Sequence, residues 1–316
     1  MPPPFRSSLV NLQNIDFQDT SNSLAPEGAQ EPGPALLGSV ARTGILHPPI
    51  LREQGTALLQ IVAGRRRLLA AQAAHHPVSA ICLVLPAETT AADALAVSLE
   101  ETILRGDITR VEQAIFFHKA LELMEEEAAC RFLPALGLGP HPHHIRKIRK
   151  LLQLEEHLLL SLHNGFLQEG AAHDLLRLSF IDRMSLFEIM ELLRLSASNQ
   201  RKLIAVCREL AGRTNTPIMA LLGREEVRAI LGDQDSNVPQ KTAQLMQWLS
   251  DQRFPRLSEA EQEFHTFSAG LRLPANVTLA HALSFEHDNV DLVVSFRSRE
   301  ELVRAWPRLA GAMREE

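Results

Sequence analysis

The stretch Ile61-Val62-Ala63-Gly64-Arg65-Arg66-Arg67-Leu68-Leu69-Ala70-Ala71 decides the fold. An apolar run of strand character meets a single glycine and passes directly into residues that favour helix. A strand feeding a helix through glycine leaves the first N–H groups of that helix unbonded, which makes a seat for an anion. Three arginines at the turn add forked, permanently charged donors suited to phosphate. The same residues also describe a solvated basic helix start, and local chemistry alone does not choose between the two. Outward from this stretch, Ile45 to Arg52, Ala57 to Ala63 and Val78 to Leu85 read as strands. Arg65 to Ala74 and Thr90 to Leu104 read as helices, and together these segments make a small α/β unit.

Beyond Arg105 the periodicity turns helical. Arg110 to Cys130 is amphipathic, with Ile115, Phe116, Leu121 and Leu123 near one stripe and Glu125-Glu126-Glu127 at its end. Leu133 to Leu138 is a short helix closed by Gly137 and Gly139, and His141 to Leu152 is a basic helix. Further helices follow as far as Leu231, and the polar segment 232–240 reads as a linker. After it come two helices, strands Val277 to Phe285 and Val290 to Arg297 around the turn 286–289, and a last helix from Arg299 to Met313. The expected fold class is α+β, in three parts. A small α/β domain over 36–109 follows an extended lead-in over 1–35, which holds one short edge strand near Leu9 to Ile15. An all-helical domain with a helix-turn-helix spans 110–231, and a helix–β-hairpin–helix unit spans 241–316.

With 45% hydrophobic and 22% charged residues, the 316-residue chain has the composition of a globular protein of two or three domains. No apolar run approaches the length of a membrane span, and the start Met-Pro-Pro-Pro-Phe-Arg-Ser-Ser lacks the apolar core of a secretion signal. The expected location is therefore cytoplasmic. Cys82, Cys130 and Cys207 form no CxxC pair and read as packed free thiols. A net charge of −6 argues against a uniformly basic surface, so any contact with nucleic acid must come from local patches.

Two further segments carry chemistry. Glu101, Thr102 and Arg105 share a helix face; a carboxylate beside a hydroxyl can hold a hydrated Mg²⁺, and an arginine one turn on can meet a phosphate. The same spacing also describes an ordinary surface ion pair. The other is His143-His144-Ile145-Arg146-Lys147-Ile148-Arg149-Lys150. Placed after a glycine turn, it reads as the second helix of a helix-turn-helix. Ile145, Ile148 and Leu152 are expected to face the core, leaving His144, Lys147 and either His143 or Arg146 toward DNA. The nearby His141, His143 and His144 lack a cysteine or paired carboxylate, so a metal is the minor reading, and their titration predicts DNA affinity rising toward pH 6.

In their order along the chain these segments resemble the ParB/Noc family. Gly44-Ile45-Leu46-His47-Pro48-Pro49-Ile50-Leu51-Arg52 is similar to its "GLxxPIxVR" segment, Gly64-Arg65-Arg66-Arg67 to its "GERRxRA" loop, and Glu101 to Arg105 to its "ENxxR" helix. Asp107-Ile108 through Glu112-Gln113-Ala114 follows the "DLxxxEEA" piece, and Arg149 to Leu154 is similar to the "LRLLxL" end of the family's recognition helix. Glu169-Gly170-Ala171-Ala172-His173 resembles the "GHA" turn with its order altered. The resemblance covers about residues 36–195. It implies a DNA-binding protein acting in chromosome or plasmid partition, with CTP and Mg²⁺ controlling closure of a sliding clamp. Carried over, it places Pro48, Arg52, Gly64, Arg65, Arg66, Arg67, Glu101, Thr102 and Arg105 at the nucleotide, with Glu101 on the metal side. His143, His144, Arg146, Lys147, Arg149 and Lys150 fall at double-stranded DNA.

Three departures qualify this picture: the glutamate of "GERR" is Arg65, the later arginine is Leu69, and the asparagine of "ENxxR" is Thr102. They make the protein a CTPase at most, with hydrolysis disfavoured. They also keep open a transcriptional regulator whose ParB-like domain has lost nucleotide switching. A nuclease or NTPase ranks lowest, because residues 36–115 hold no Asp/Glu/His cluster for metal-assisted attack. The family implies a nucleoid-associated homodimer joined through a C-terminal element, for which Leu283, Phe285, Leu292, Val294 and Phe296 offer an apolar face. A ParA-type ATPase partner would dock on a basic segment near the N-terminus, yet residues 1–40 hold Arg6 and no lysine.

Overall fold

Strand alternation builds the first layer of the protein, a computed structural model describing residues 5–55, 57–74, 79–106, 108–281 and 289–312. In β1 (Arg6–Asn11) Val10 is buried while Leu9 is exposed, as a strand with one packed face requires. After it come β2 (Ile15–Asp16), α1 (Pro34–Thr43), β3 (Ile50–Arg52), β4 (Leu59–Ala63), α2 (Arg65–Ala73), β5 (Ser79–Leu85) and α3 (Ala91–Arg105). The sheet order is β1-β5-β3-β4-β2. β1 with β5 and β3 with β4 run antiparallel, while β3 with β5 and β2 with β4 run parallel. Val40 of α1 and Leu68 of α2 pack with Val10, Leu51, Ile61 and Cys82 on one face, and Ala94 of α3 meets Val62 and Leu85 on the other.

Residues 6–30 are more than an extended lead-in. Besides the edge strand β1, they form a strap tied down by partners far away in sequence. The Asn22 amide donates to the Ile61 carbonyl at 3.2 Å, and Ser98 Oγ donates to the Asn22 carbonyl at 2.7 Å. Lys119 Nζ donates to the carbonyls of Thr20 and Ser23 at 2.6 and 2.8 Å, and Leu24 is buried. Those bonds leave no periodic trace, so the segment reads as loop in sequence although it is part of the core.

The helical part begins with α4 (Arg110–Leu123), opened by a reciprocal capping box between Thr109 and Glu112. The single helix expected to Cys130 stops at Leu123, because Met124 is extended and the acidic run nucleates a separate short α5 (Glu126–Ala129). Acidic residues favour a helix N-terminus, so the charges that looked like a tail are a new start. Two 3₁₀ turns and the left-handed Gly137 (φ 70°) then lead into α6 (Pro142–Arg149). α6 tightens into a 3₁₀ turn over Lys150–Gln153. Its buried side chains are accordingly Ile145, Ile148, Leu151 and Leu154, and Leu152, the expected core residue, is only half-buried. Three residues per turn replaces 3.6 there, which moves the apolar stripe by one position.

Helices α7 (Glu156–His163), α8 (Glu169–Leu175), α9 (Phe180–Leu192) and α10 (Ala197–Thr214) follow, and Glu169 to His173 lies in α8 rather than in a turn. Buried Gln200 holds the entry to α8, donating to the carbonyls of Phe166 and Leu195 and accepting from the Gln168 N–H.

The chain divides into two compact units, residues 1–204 and 205–316. The sheet domain and the helices from 110 onward share hydrogen bonds such as those of Lys119, which makes them one unit. The second unit holds α11 (Ile218–Leu222), α12 (Glu225–Gly232), α13 (Val238–Arg253), α14 (Pro255–Gly270), β6 (Val277–His281), β7 (Val290–Val294) and α15 (Arg299–Ala312). β6 and β7 pair antiparallel; the turn at 286–288, Leu283 and Phe285 lie outside the described residues. The segment joining α12 to α13 is shorter than expected, because Asn237 and Gln240 form a capping box that starts α13 at Val238. Among the described residues no helix is long and apolar enough to cross a membrane, and the three cysteines are free and buried.

Candidate functional site

Gly64 sits between β4 and α2 with φ 88°, a left-handed conformation that favours glycine. A Cβ there would lie 3.0 Å from both Pro49 Cβ and Arg67 Nη2, so the close approach of the loop to Pro49 needs glycine for space as well. The three arginines that follow go three ways. Arg65 turns back and donates to the carbonyls of Phe17 at 2.6 Å and Asp19 at 3.2 Å. These two bonds fasten the N-terminal strap to the start of α2. Arg66 is exposed. Arg67 donates to the His47 carbonyl and to Glu101 Oε1, both at 2.6 Å, and to the Pro48 carbonyl at 3.5 Å.

The "ENxxR"-like helix is also partly committed. Thr102 is buried and its hydroxyl donates to the Ser98 carbonyl one turn back at 2.8 Å. Glu101 already has Arg67 as counter-charge, and the described residues contain no group of three metal ligands. Arg52 donates to Gln60 Oε1 at 3.2 Å, while Gln60 donates to Asp19. Arg105 is exposed at the end of α3 and pairs with the buried Glu112 at 3.2 Å; the second oxygen of Glu112 accepts the Thr109 N–H at 2.8 Å. Thr109 Oγ1 in turn lies 3.0 Å from His163 Nδ1 at the end of α7. Burial lowers the His163 pKa, Arg105 and Arg66 lower it further, and Glu112 opposes them. Gly64, Arg66, Arg67 and Arg105 thus offer backbone and guanidinium donors to an anion. His163 was missed in sequence because it lies 54 residues from its partner; the Thr109-x-x-Glu112 capping box was the one signal available there.

The basic helix presents its charges on a fixed scaffold, since Ile145, Ile148 and Leu151 are buried beneath it. Arg146, Lys147 and Lys150 are exposed, and Arg149 is half-buried with Nη2 3.5 Å from His118 Nδ1. Glu126 accepts two hydrogen bonds from Arg146, at 3.0 and 2.7 Å. Glu169 accepts from Arg110 Nε at 2.8 Å and lies 3.9 Å from Lys147 Nζ. No sequence spacing pointed to these two carboxylates. The rings of His143 and His144 stand 4.0 Å apart, with His141 5.7 Å from His143. The half-buried His144 has its pKa lowered by desolvation and then by His143, His141, Lys147 and Arg110. The expected gain of affinity on its protonation therefore moves to more acid pH.

No protein-family model matches the chain. Over 193 residues it is 34% identical to the chromosome-partitioning protein Spo0J of Thermus thermophilus, a match that covers 60% of this chain and 68% of that protein. A Neisseria meningitidis protein described as a probable chromosome-partitioning protein ParB is 29% identical over 152 residues; the match spans 48% of this chain and about half (51%) of that relative. Its counterpart from Vibrio cholerae is 28% identical over 202 residues, 63% of this chain and 64% of that protein. Among solved structures, C-terminally truncated ParB of Caulobacter crescentus complexed to the centromeric parS site aligns at 21% identity with a TM-score of 0.35. That alignment covers 64% of this chain and 100% of the Caulobacter chain. The same protein complexed with CTP-γ-S aligns at 23% identity and 0.26, over 55% and 93% of the two chains. Superpositions at that level carry no argument of their own, and the assignment rests on the Thermus relative. The chain belongs to the ParB/Spo0J family of chromosome-partitioning proteins.

Proposed function

We propose that this protein binds double-stranded DNA through α6 in chromosome or plasmid partition, and that the loop at Gly64 takes the triphosphate of CTP. The observation that carries the reading is the arrangement of α6. Exposed Arg146, Lys147 and Lys150 stand on a helix pinned by buried Ile145, Ile148 and Leu151, directly after the left-handed Gly137 turn. A second helix after such a turn is the element that enters the major groove in helix-turn-helix proteins.

For the nucleotide, the residues fit the phosphates better than the metal. Gly64 turns the chain left-handed into the start of α2, whose first N–H groups can face an anion, and Arg66, Arg67 and Arg105 supply guanidinium donors. Glu101 is the one carboxylate of the motif that could reach Mg²⁺, a number in keeping with an ion held mainly by phosphate and water. CTP would supply the charge that draws Arg67 from Glu101 and Arg105 from Glu112. A regulator without nucleotide switching is the second reading, favoured by the commitment of Arg65 to the carbonyls of Phe17 and Asp19.

A homodimer is part of the proposal. No hydrophobic side chain beyond Leu249 is buried among the described residues, while Val290, Leu292, Val303 and Trp306 of the second unit are exposed. An isolated two-stranded sheet is marginal, and a second copy would cover it. Fluorescence anisotropy with a parS duplex and a scrambled duplex, each with and without CTP and Mg²⁺, tests the whole. Tighter binding to parS is expected, with CTP changing the affinity; equal, weak binding to both duplexes would overturn the DNA reading. Affinity indifferent to CTP would leave the regulator.

A further inference from the structure

Arg146 and Glu126 meet in a way that leaves one edge of the guanidinium open. Glu126, the first residue of α5, accepts from the side of the group: Nε donates to Oε1 at 3.0 Å and Nη2 to Oε2 at 2.7 Å. A guanidinium carries five N–H donors. The side-on pair uses two, leaving both Nη1 hydrogens and the second Nη2 hydrogen. The free Nη1–H and Nη2–H point end-on and parallel, which is the spacing that matches N7 and O6 of guanine in the major groove.

The setting suits that use. The Arg146 side chain is 67% exposed, whereas that of Glu126 is 31% exposed and lies on the neighbouring helix of the same motif. The Arg146 hydrogen bond holds the Glu126 carboxyl below the usual carboxylate range, so Glu126 stays ionised wherever the protein is folded at neutral pH. A carboxylate beside a surface meant for phosphate costs affinity through repulsion. It gains something only if it fixes the orientation of a base-reading side chain, because a held fork loses little rotamer freedom when it binds. Lys147 and Lys150 are point charges suited to phosphate, and neither has a side-on carboxylate partner of this kind.

We propose that Glu126 positions Arg146 to read a guanine in the major groove, making this pair the base-specific contact of α6. The inference rests on the reading that α6 enters DNA. Arg146 is the reading residue and Glu126 a positioning residue.

A library of duplexes with a randomised core, selected on the full chain and sequenced, tests it. The wild type is expected to enrich a motif with guanine at one column of each half-site. R146K keeps the charge and removes the planar fork, and it should lower the preference for that guanine about tenfold or more, with the other columns retained. E126Q should lower the same column, since its amide nitrogen opposes an Arg146 donor. Survival of the guanine column in both variants, equal decay of all columns, or a wild type that binds duplexes but enriches no guanine would each overturn the inference alone. A wild type that binds no duplex overturns the DNA-binding reading and this inference together. Thermal midpoints matching the wild type establish that the variants are folded, and R146K, an exposed change, carries the test if E126Q does not fold.

Discussion

Two basic stretches, Arg65 to Arg67 and Arg146 to Lys150, look alike in sequence and are used differently. At α2 the charges are largely consumed by the fold: Arg65 binds two backbone carbonyls and Arg67 binds Glu101 and His47, which leaves Arg66 exposed. At α6 the cations stand outside, and their partners are half-buried carboxylates: Glu126, which holds the Arg146 fork from the side, and Glu169, near Lys147. A run of arginines therefore reports charge, and only the partners report its purpose. Arg65 cannot leave its two half-buried carbonyls without breaking both bonds, whereas the exposed Lys147 can exchange Glu169 for a phosphate at small cost.

The largest effect that separates these uses is on stability. Arg65→Ala removes two charged hydrogen bonds that anchor the strap, and it should cost about 2–3 kcal/mol in urea unfolding. Arg66→Ala should change stability by less than about 0.5 kcal/mol and instead weaken CTP binding about tenfold by calorimetry. Equal destabilisation by the two would erase the contrast within the loop. Next in size is the basic helix. Lys150→Ala should reduce the slope of log affinity against log salt on duplex DNA by about one, and Lys147→Ala by less, because Glu169 already competes for that charge.

The smallest effect is on pH. His163 and His173 both have pKa values lowered from 6.5, first by burial. Near that value the unfolded chain binds more protons than the folded one, so their contribution is full above 6.5 and is lost as pH falls through it. Thermal midpoints measured from pH 7.5 to 5 should fall more steeply for the wild type than for a His163→Asn, His173→Asn double variant. Parallel curves would remove both histidines as the cause.

Much of this was legible along the chain. The strand–Gly64–helix turn, the strands around β4 and β5, and the placement of α6 after Gly137 follow from apolar patterning and glycine punctuation, which are local signals. The Thr109/Glu112 capping box and the Thr90 cap of α3 are likewise written in neighbouring residues. The strap was not legible, because Asn22, Asp19 and Thr20 find Ile61, Gln60 and Lys119 across 39 to 99 residues. The end of α4 was misread because continuous amphipathic pattern does not reveal that Met124 turns extended.

By itself the sequence determined the local geometry of each element and, through its order of motifs, the family. Those depend on torsional preference and hydrophobic period, which act over a few residues. Only the tertiary structure decided which arginine of the loop is free, that Thr102 bonds back into its own helix, and that Glu126 grips Arg146. A charged side chain is long enough to choose among several partners, and the choice is made by distances between distant segments that no local pattern encodes.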